Sequence, residues 1–484
     1  YARRYQEEFG DLVPAIFTDE PHCAGPKADG LGVWWTDRLA EVFRRRRGFD
    51  LLDYLPELFW PLAWTDFSPA RHALVRTVTE LYVESFTAQV GRWCAEQNIA
   101  LTGHILAEGS LQSQIGAEGA CMPHYPHMQW PGIDNLRDQA RELITAKQCS
   151  SAAEQAGRER VLSELYGCTG WDWPLEGHKY IGDWQLACGV NFRCPHLTHY
   201  SLAGGAKRDY PASIFSHSPW WPYYRAVEDY FGRLCYILTR GRPVRDVLVL
   251  HPVESAWGVW LPRAAGAGMD ELEAGLTRVM YTLTGAHFDW DFGDETMLAE
   301  RAKADGERLR VGPMAYRLVV VPPARTLRGS TVELLERFLD GGGRVLFVGR
   351  APDRVDGHED DRAGALVARA AACEDDEGSL VGAVEGLVDR RLSVSENGGE
   401  QRCVWSMLRR VRSADTDGLG AGQFLFLQSH DRSATRRVRV RVAGRRPVVL
   451  WDARTGARRR LKAEAGGGHV TFDLELGPTG SALV

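Results

Sequence analysis

No run in this 484-residue chain reaches the roughly 18 consecutive apolar residues that a membrane-spanning helix needs. Positive charge is also short. The formal net charge of −6 argues against a nucleic-acid or anionic-membrane partner. The arginine runs Arg44–Arg47 and Arg458–Arg460 read as local solvated faces. The 10 cysteines form no CxxC pair and no zinc-type spacing, and a chain of this length does not need disulfides, so reduced thiols are expected. GxSxG, HExxH and the EF-hand loop are absent, which removes the usual serine-hydrolase, zinc-protease and calcium-sensor signatures. No leader is visible. The chain opens at Tyr1, without Met, inside what reads as a helix (YARRYQEEFG), so residues upstream are expected to be missing and the compartment is not legible.

What the chain does have is aromatic weight. There are 16 Trp, most of them before residue 261; such rings suit sugar faces and apolar cores equally. Length allows two or three domains. Over residues 1–242 short apolar runs alternate with amphipathic ones. AIFTDE, IALTGHIL, MQWPGID, RVLSELYG and GVNFRCPHLTHYS read as strands. Helices are expected over TDRLAEVFRRRRG, over the long segment from His72 to Asn98, over DNLRDQARELIT, again from CSSAAEQAGR, over HKYIGDWQLACG and over PYYRAVEDYFGRLCYILTRG. Such alternation implies a parallel sheet with helical crossovers. Five strands are too few to close a (β/α)8 barrel, so the reading is a barrel whose N-terminal strands are missing. Residues 243–375 read as a doubly wound, flavodoxin-like α/β unit. HPVESAW stands where a phosphate-binding glycine loop would be, so no nucleotide site is expected there. Residues 376–484 open on a Gly/Asp/Glu-rich passage and continue as an all-β tail whose alternation (RRVRVRV) suggests a small antiparallel sandwich.

Chemistry concentrates at the ends of the first five strands, where a barrel carries its active site. Glu20 and Glu164 are the proposed catalytic pair. A buried strand has no cheap place for an acid, and two opposed carboxylates are the minimum equipment for glycoside cleavage. Asp19, beside Glu20, can share the pocket only at the strand end. His104, Asp134, Asn191, His196, His199 and Tyr200 are candidate sugar-binding groups, and Trp171 with Asp172 could form a stacking wall and a hydroxyl acceptor. Asp19, Glu20, Glu108, Asp134 and Glu164 supply the hard oxygens that calcium prefers, with Glu108 the residue assigned to a metal. The plainer alternative has Glu20 capping a helix and Glu164 paired with an arginine.

The run FTDEP, TGH, PGID, SSAAEQAGRERVLSELYG, then GVN with a following H…HYS, resembles the catalytic barrel of glycoside hydrolase family 106, the α-L-rhamnosidases. The domain order is also similar to that of family 42 β-galactosidases. The resemblance implies that DEP closes the fourth barrel strand and SEL the seventh, that Glu20 and Glu164 are acid and base or nucleophile, and that a calcium ion takes part. It implies a carbohydrate substrate, most simply a terminal α-L-rhamnosyl residue. Flavodoxin-like domains of similar enzymes often pack in oligomers, though nothing in these residues demands one. The rivals are a β-galactosidase, a non-catalytic carbohydrate-binding or degenerate barrel, and a zinc hydrolase using His104, His196 and His199.

Overall fold

The computed structural model describes residues 2–23, 32–140, 142–262, 266–412, 421–445 and 447–484. Its first unit is built on five short strands: β1 (Ala15–Thr18), β2 (Ala100–Gly103), β3 (Trp130–Asn135), β4 (Leu162–Leu165) and β5 (Phe192–Pro195). Each lies parallel to its sequence neighbour, in the order 1-2-3-4-5. Among the described residues no ladder joins β5 back to β1, so the sheet is a curled half-barrel.

Helices cover it for legible reasons. Helix α1 (Pro69–Tyr82) starts where Ser68 accepts a hydrogen bond from the Arg71 amide at 3.1 Å, with Pro69 in the first turn. It runs on through a π turn (Val83–Thr87) into Ala88–Glu96, so the long helix expected here exists with one bulge. Helix α2 (Leu143–Gln155) replaces the two helices expected over DNLRDQARELIT and CSSAAEQAGR. The first of these cannot form. Arg137 sits at φ +57° and its amide donates to the Gly167 carbonyl at 2.7 Å, while Asn135 Nδ2 donates to the Gln139 carbonyl at 3.3 Å, which makes the segment a loop over the end of β3. Helix α3 (Leu175–Cys188) stops at Gly189, in the left-handed conformation. Helix α4 (Arg225–Leu238) closes the unit.

After the two-residue strand β6 (Arg242–Pro243) comes a second parallel sheet. It consists of β7 (Val247–Leu250), β8 (Trp290–Gly293), β9 (Leu318–Val321), β10 (Arg344–Val348) and β11 (Ala371–Cys373). Its spatial order, in sequence rank, is 2-1-3-4-5, an order found in doubly wound sheets. HPVESAW leads into a wholly buried helix, α5 (Val253–Val259), which lies against α1. Trp257 Nε1 donates to the Gly119 carbonyl at 2.7 Å, the Ser68 amide donates to the Gly258 carbonyl at 2.8 Å, and His72 Nε2 lies 3.1 Å from Glu254. The position of a phosphate loop is thus taken by a contact between units. The acidic passage after 353 folds into helices Asp361–Arg369 and α6 (Glu377–Leu387), with β11 between them. From Leu392 onward two antiparallel sheets enclose a core that includes Val394, Leu427, Val440 and Leu476. The second of these sheets takes in β6, paired to β12 (Val404–Val411).

Candidate active site

Geometry at the strand ends is set by one glycine. Gly103 has φ +115°, and a Cβ there would lie 1.9 Å from the Thr18 carbonyl oxygen, so only glycine lets β2 close against β1. The same oxygen accepts from the His104 amide at 3.2 Å. His104 is thereby tucked, fully buried, between the ends of β1 and β4. Its Nε2 lies 2.9 Å from Glu164 Oε2 and 3.5 Å from Asp19 Oδ1, and its Nδ1 faces the Ile105 carbonyl at 3.4 Å. Both ring nitrogens meet oxygen acceptors, the arrangement of an imidazolium. Glu164, at 15% side-chain exposure, has His196 Nε2 3.8 Å from its other oxygen. Asp134 stands beside Glu164 in the β3–β4 register, so the two carboxyls project to one face. Asp19 and Glu20 lie just beyond β1. Glu20 adopts φ +48°, which turns the chain and leaves both acids exposed at the strand end.

Charge is crowded here. Burial works against the charged form of His104, yet the hydrogen bond to Glu164 and the charges of Glu108, Asp134 and Glu164 outweigh it and hold its pKa up at about 9. Asp134 is pushed up to about 7, by burial first and then by Glu164, Glu20 and Asp19, partly offset by His104. Asp134 and Glu164 sit side by side on neighbouring strands, and one imidazole nitrogen joins Glu164 to Asp19. Beneath lies a dry layer that sequence reasoning missed in part. Glu108, bonded to Tyr125 Oη at 3.2 Å, is raised to about 8 by burial above all. Glu118 is wholly buried and raised to about 10, by burial and then by Glu108. Nothing in the local pattern GAEGAC marks Glu118. Carboxyls that keep a proton at neutrality, close to a carboxyl hydrogen-bonded to a charged imidazole, are the equipment of acid–base chemistry.

Comparison with known proteins agrees with this chemistry. The α-L-rhamnosidase family model of glycoside hydrolase family 106 matches residues 28–464. The chain belongs to glycoside hydrolase family 106. A curated protein of Formosa agariphila named "Putative beta-glucuronidase" is 23% identical over 347 residues, which are 70% of this chain and 27% of that protein. A rhamnosidase from Novosphingobium sp. PP1Y superposes with a TM-score of 0.73 at 18% identity, over 98% of this chain and 45% of that one. A family 42 β-galactosidase from G. stearothermophilus gives 0.67 at 10% identity, over 100% of this chain and 79% of the other. At these identities the two structures share the fold with this one. The chain spans less than half the length of the Formosa and Novosphingobium relatives.

Within this family 106 chain the remaining expected site residues separate. Asn191 stands at the start of β5, the opposite end of the strand from the acids. Its Oδ1 accepts from the Val161 amide at 2.9 Å and its Nδ2 donates to the Glu159 carbonyl at 2.9 Å, so it is wholly engaged with backbone. His199 does not join His104 and His196. It stacks on Trp171 with ring centres 6.4 Å apart, and its Nε2 lies 3.1 Å from the Asp209 carbonyl. Trp171 Nε1 donates to the Lys207 carbonyl at 2.8 Å, which makes the pair a wall fixed to a neighbouring loop. Asp172 is exposed beside it, and Tyr200 is fully exposed. The three histidines of the zinc reading are therefore not gathered together. Among the described residues Glu164 pairs with no arginine; its partners there are His104 and His196.

Asp19, His104 and Glu164 bring one ligand atom each within 4.8 Å of one another. The two carboxylates suit a hard cation. The imidazole suits zinc or iron better, and its Nε2 already faces Glu164. Glu108 stands apart from this trio, spent on Tyr125.

Proposed function

We propose that this chain carries the catalytic face of a glycosidase that releases a terminal α-L-rhamnosyl residue. The observation that supports it most is His104 Nε2 lying 2.9 Å from Glu164 at the end of β4, in register with Asp134. In this reading Glu164, hydrogen-bonded to buried His104, takes the proton from the attacking water. Glu20, exposed just beyond β1, supplies a proton to the departing glycosidic oxygen as the bond to the anomeric carbon breaks. On this reading Asp134, His196 and the Trp171–His199 pair hold sugar hydroxyls. Calcium enters this reading through Asp19 and Glu164, which would supply oxygen ligands and leave His104 as their hydrogen-bond partner.

The test is hydrolysis of an aryl α-L-rhamnoside by wild type, Glu20→Gln and Glu164→Gln. Each substitution keeps shape and removes the ionisable group, and each loses about a hundredfold or more in kcat. Full activity of either variant removes the pair. Dialysis against a chelator lowers the rate and added calcium restores it; an unchanged rate removes the ion. A second reading, a β-glucuronidase, is favoured by the name of the Formosa relative. An aryl β-glucuronide in the same assay separates the two.

A further inference from the structure

One groove of this acidic protein is lined mainly by arginine among its charged residues. Where the half-barrel, the second parallel sheet and the sandwich meet, a groove of about 680 Å³ is lined by Arg242, Arg308, Arg391 and Arg410 among other arginines, with Glu159 and Asp246 as its acids. That volume lies in the range of ligand pockets. The acids are already committed. Asp246 accepts from Arg391 at 2.7 Å and lies 3.8 Å from Arg317, and Glu159 lies 4.0 Å from Arg240. Among the described residues no ion pair includes Arg242, Arg308 or Arg410.

Two of these are set directly against each other. Arg242 on β6 and Arg410 on β12 are cross-strand partners in an antiparallel ladder, both exposed. Like charges opposite one another on a ladder oppose the pairing, so a sequence under no other demand would place a carboxylate at one of them. The ladder is nevertheless held firmly. Buried Arg409, next to Arg410, donates to the carbonyls of Arg240 at 2.9 Å and Gly241 at 2.8 Å and pairs with Glu154 at 2.9 Å. The two arginines thus project from a fixed ladder, and Arg242 Nη1 is further held by donating to the Pro313 carbonyl at 2.9 Å. Among the described residues no aromatic ring lines the groove, so it is suited to recognition by charge and not by stacking.

We propose that this groove binds the negatively charged groups of an acidic saccharide, with Arg242 and Arg410 straddling one carboxylate or sulfate and Arg308 meeting the next. Guanidinium forks match planar and tetrahedral oxyanions through paired N–H donors. The negative charge of the ligand follows from the groove alone; its saccharide nature rests on the glycosidase reading above.

Titration calorimetry at low salt tests it, with a galacturonate oligomer, a neutral dextran oligomer and inorganic sulfate as probes. The galacturonate oligomer binds, dextran does not, and binding weakens as salt rises. Arg242→Gln/Arg410→Gln, and separately Arg308→Gln, weaken it at least about tenfold, while aryl-glycoside hydrolysis stays at the wild-type rate. No binding at low salt, or equal binding by the double variant, overturns the proposal. Sulfate binding as tightly as the oligomer overturns the saccharide and leaves an oxyanion site. Oligomer binding by a chain that cleaves no aryl glycoside retains the groove and removes the glycosidase reading, so the two fail separately.

Discussion

His104 is the residue on which the pocket turns, since it touches both Glu164 and Asp19 with a single nitrogen. His104→Gln keeps a hydrogen-bond donor and removes the charge. We expect a kcat loss of about tenfold to a hundredfold and a changed basic limb in the pH–rate profile, where the histidine held at about 9 gives up its proton; an unchanged basic limb would make the histidine a packing residue. Glu108 supplies a stability counterpart. Its folded-state pKa of about 8 lies above the ordinary 4.5, so the folded protein holds the proton more tightly. The stability it contributes is full below the ordinary value and is lost as pH rises through about 8. Tm should fall between those limits, and Glu108→Gln should flatten the fall; an identical slope in the variant would contradict the burial argument. At this scale the sequence was legible where a rule applied. An acid ending an apolar run pointed to Asp19, Asp134 and Glu164. The central place of His104 was not legible, because it depends on how Gly103 lets β2 approach β1. Asn191 reads as a strand-end residue but stands at the start of β5, because a polar residue next to a strand does not announce which end of the strand it occupies.

Elements were legible wherever periodicity met a cap. Four-residue strands such as LSEL and AIFT emerged from short apolar runs, and α3 ended at its glycine. The misread helix over DNLRDQARELIT shows the limit. Its composition allows a helix, but Arg137 in the left-handed region and the bond from its amide to Gly167 are tertiary facts. Two substitutions test the element-level account. Gly103→Ala would force a methyl group onto the Thr18 carbonyl, so it should prise β1 from β2, costing at least about 2 kcal/mol by denaturant unfolding and lowering activity with it. Asn191→Ala should cost about 1–3 kcal/mol through two lost backbone partners and leave kcat of the surviving folded protein near wild type. A selective loss of kcat with unchanged Tm would return Asn191 to the active site.

Across the whole molecule, three units are stitched by buried polar contacts as well as by apolar packing. Helix α5 seals the first two through Trp257, Glu254 and Gly258, and the sandwich is tied to α2 by the Arg409–Glu154 pair, 2.9 Å long with side-chain exposures of 5% and 15%. Arg409 also holds two carbonyls of the segment that links half-barrel to second sheet, so one guanidinium serves all three units. Removing one partner of such a pair leaves a buried charge unmatched, at about 3–5 kcal/mol, whereas removing both with apolar replacements of similar volume is far milder. Arg409→Met should therefore lower Tm sharply and loosen the β6–β12 ladder, seen as faster amide exchange at Arg240–Val244. Arg409→Met/Glu154→Leu should recover part of the Tm but little of the exchange protection, because the carbonyls of Arg240 and Gly241 still lack their donor. Full recovery of both would mean that the ion pair alone ties the units. Recovery of neither would mean that the two lost carbonyl bonds, and not the unmatched charge of Glu154, account for the whole effect.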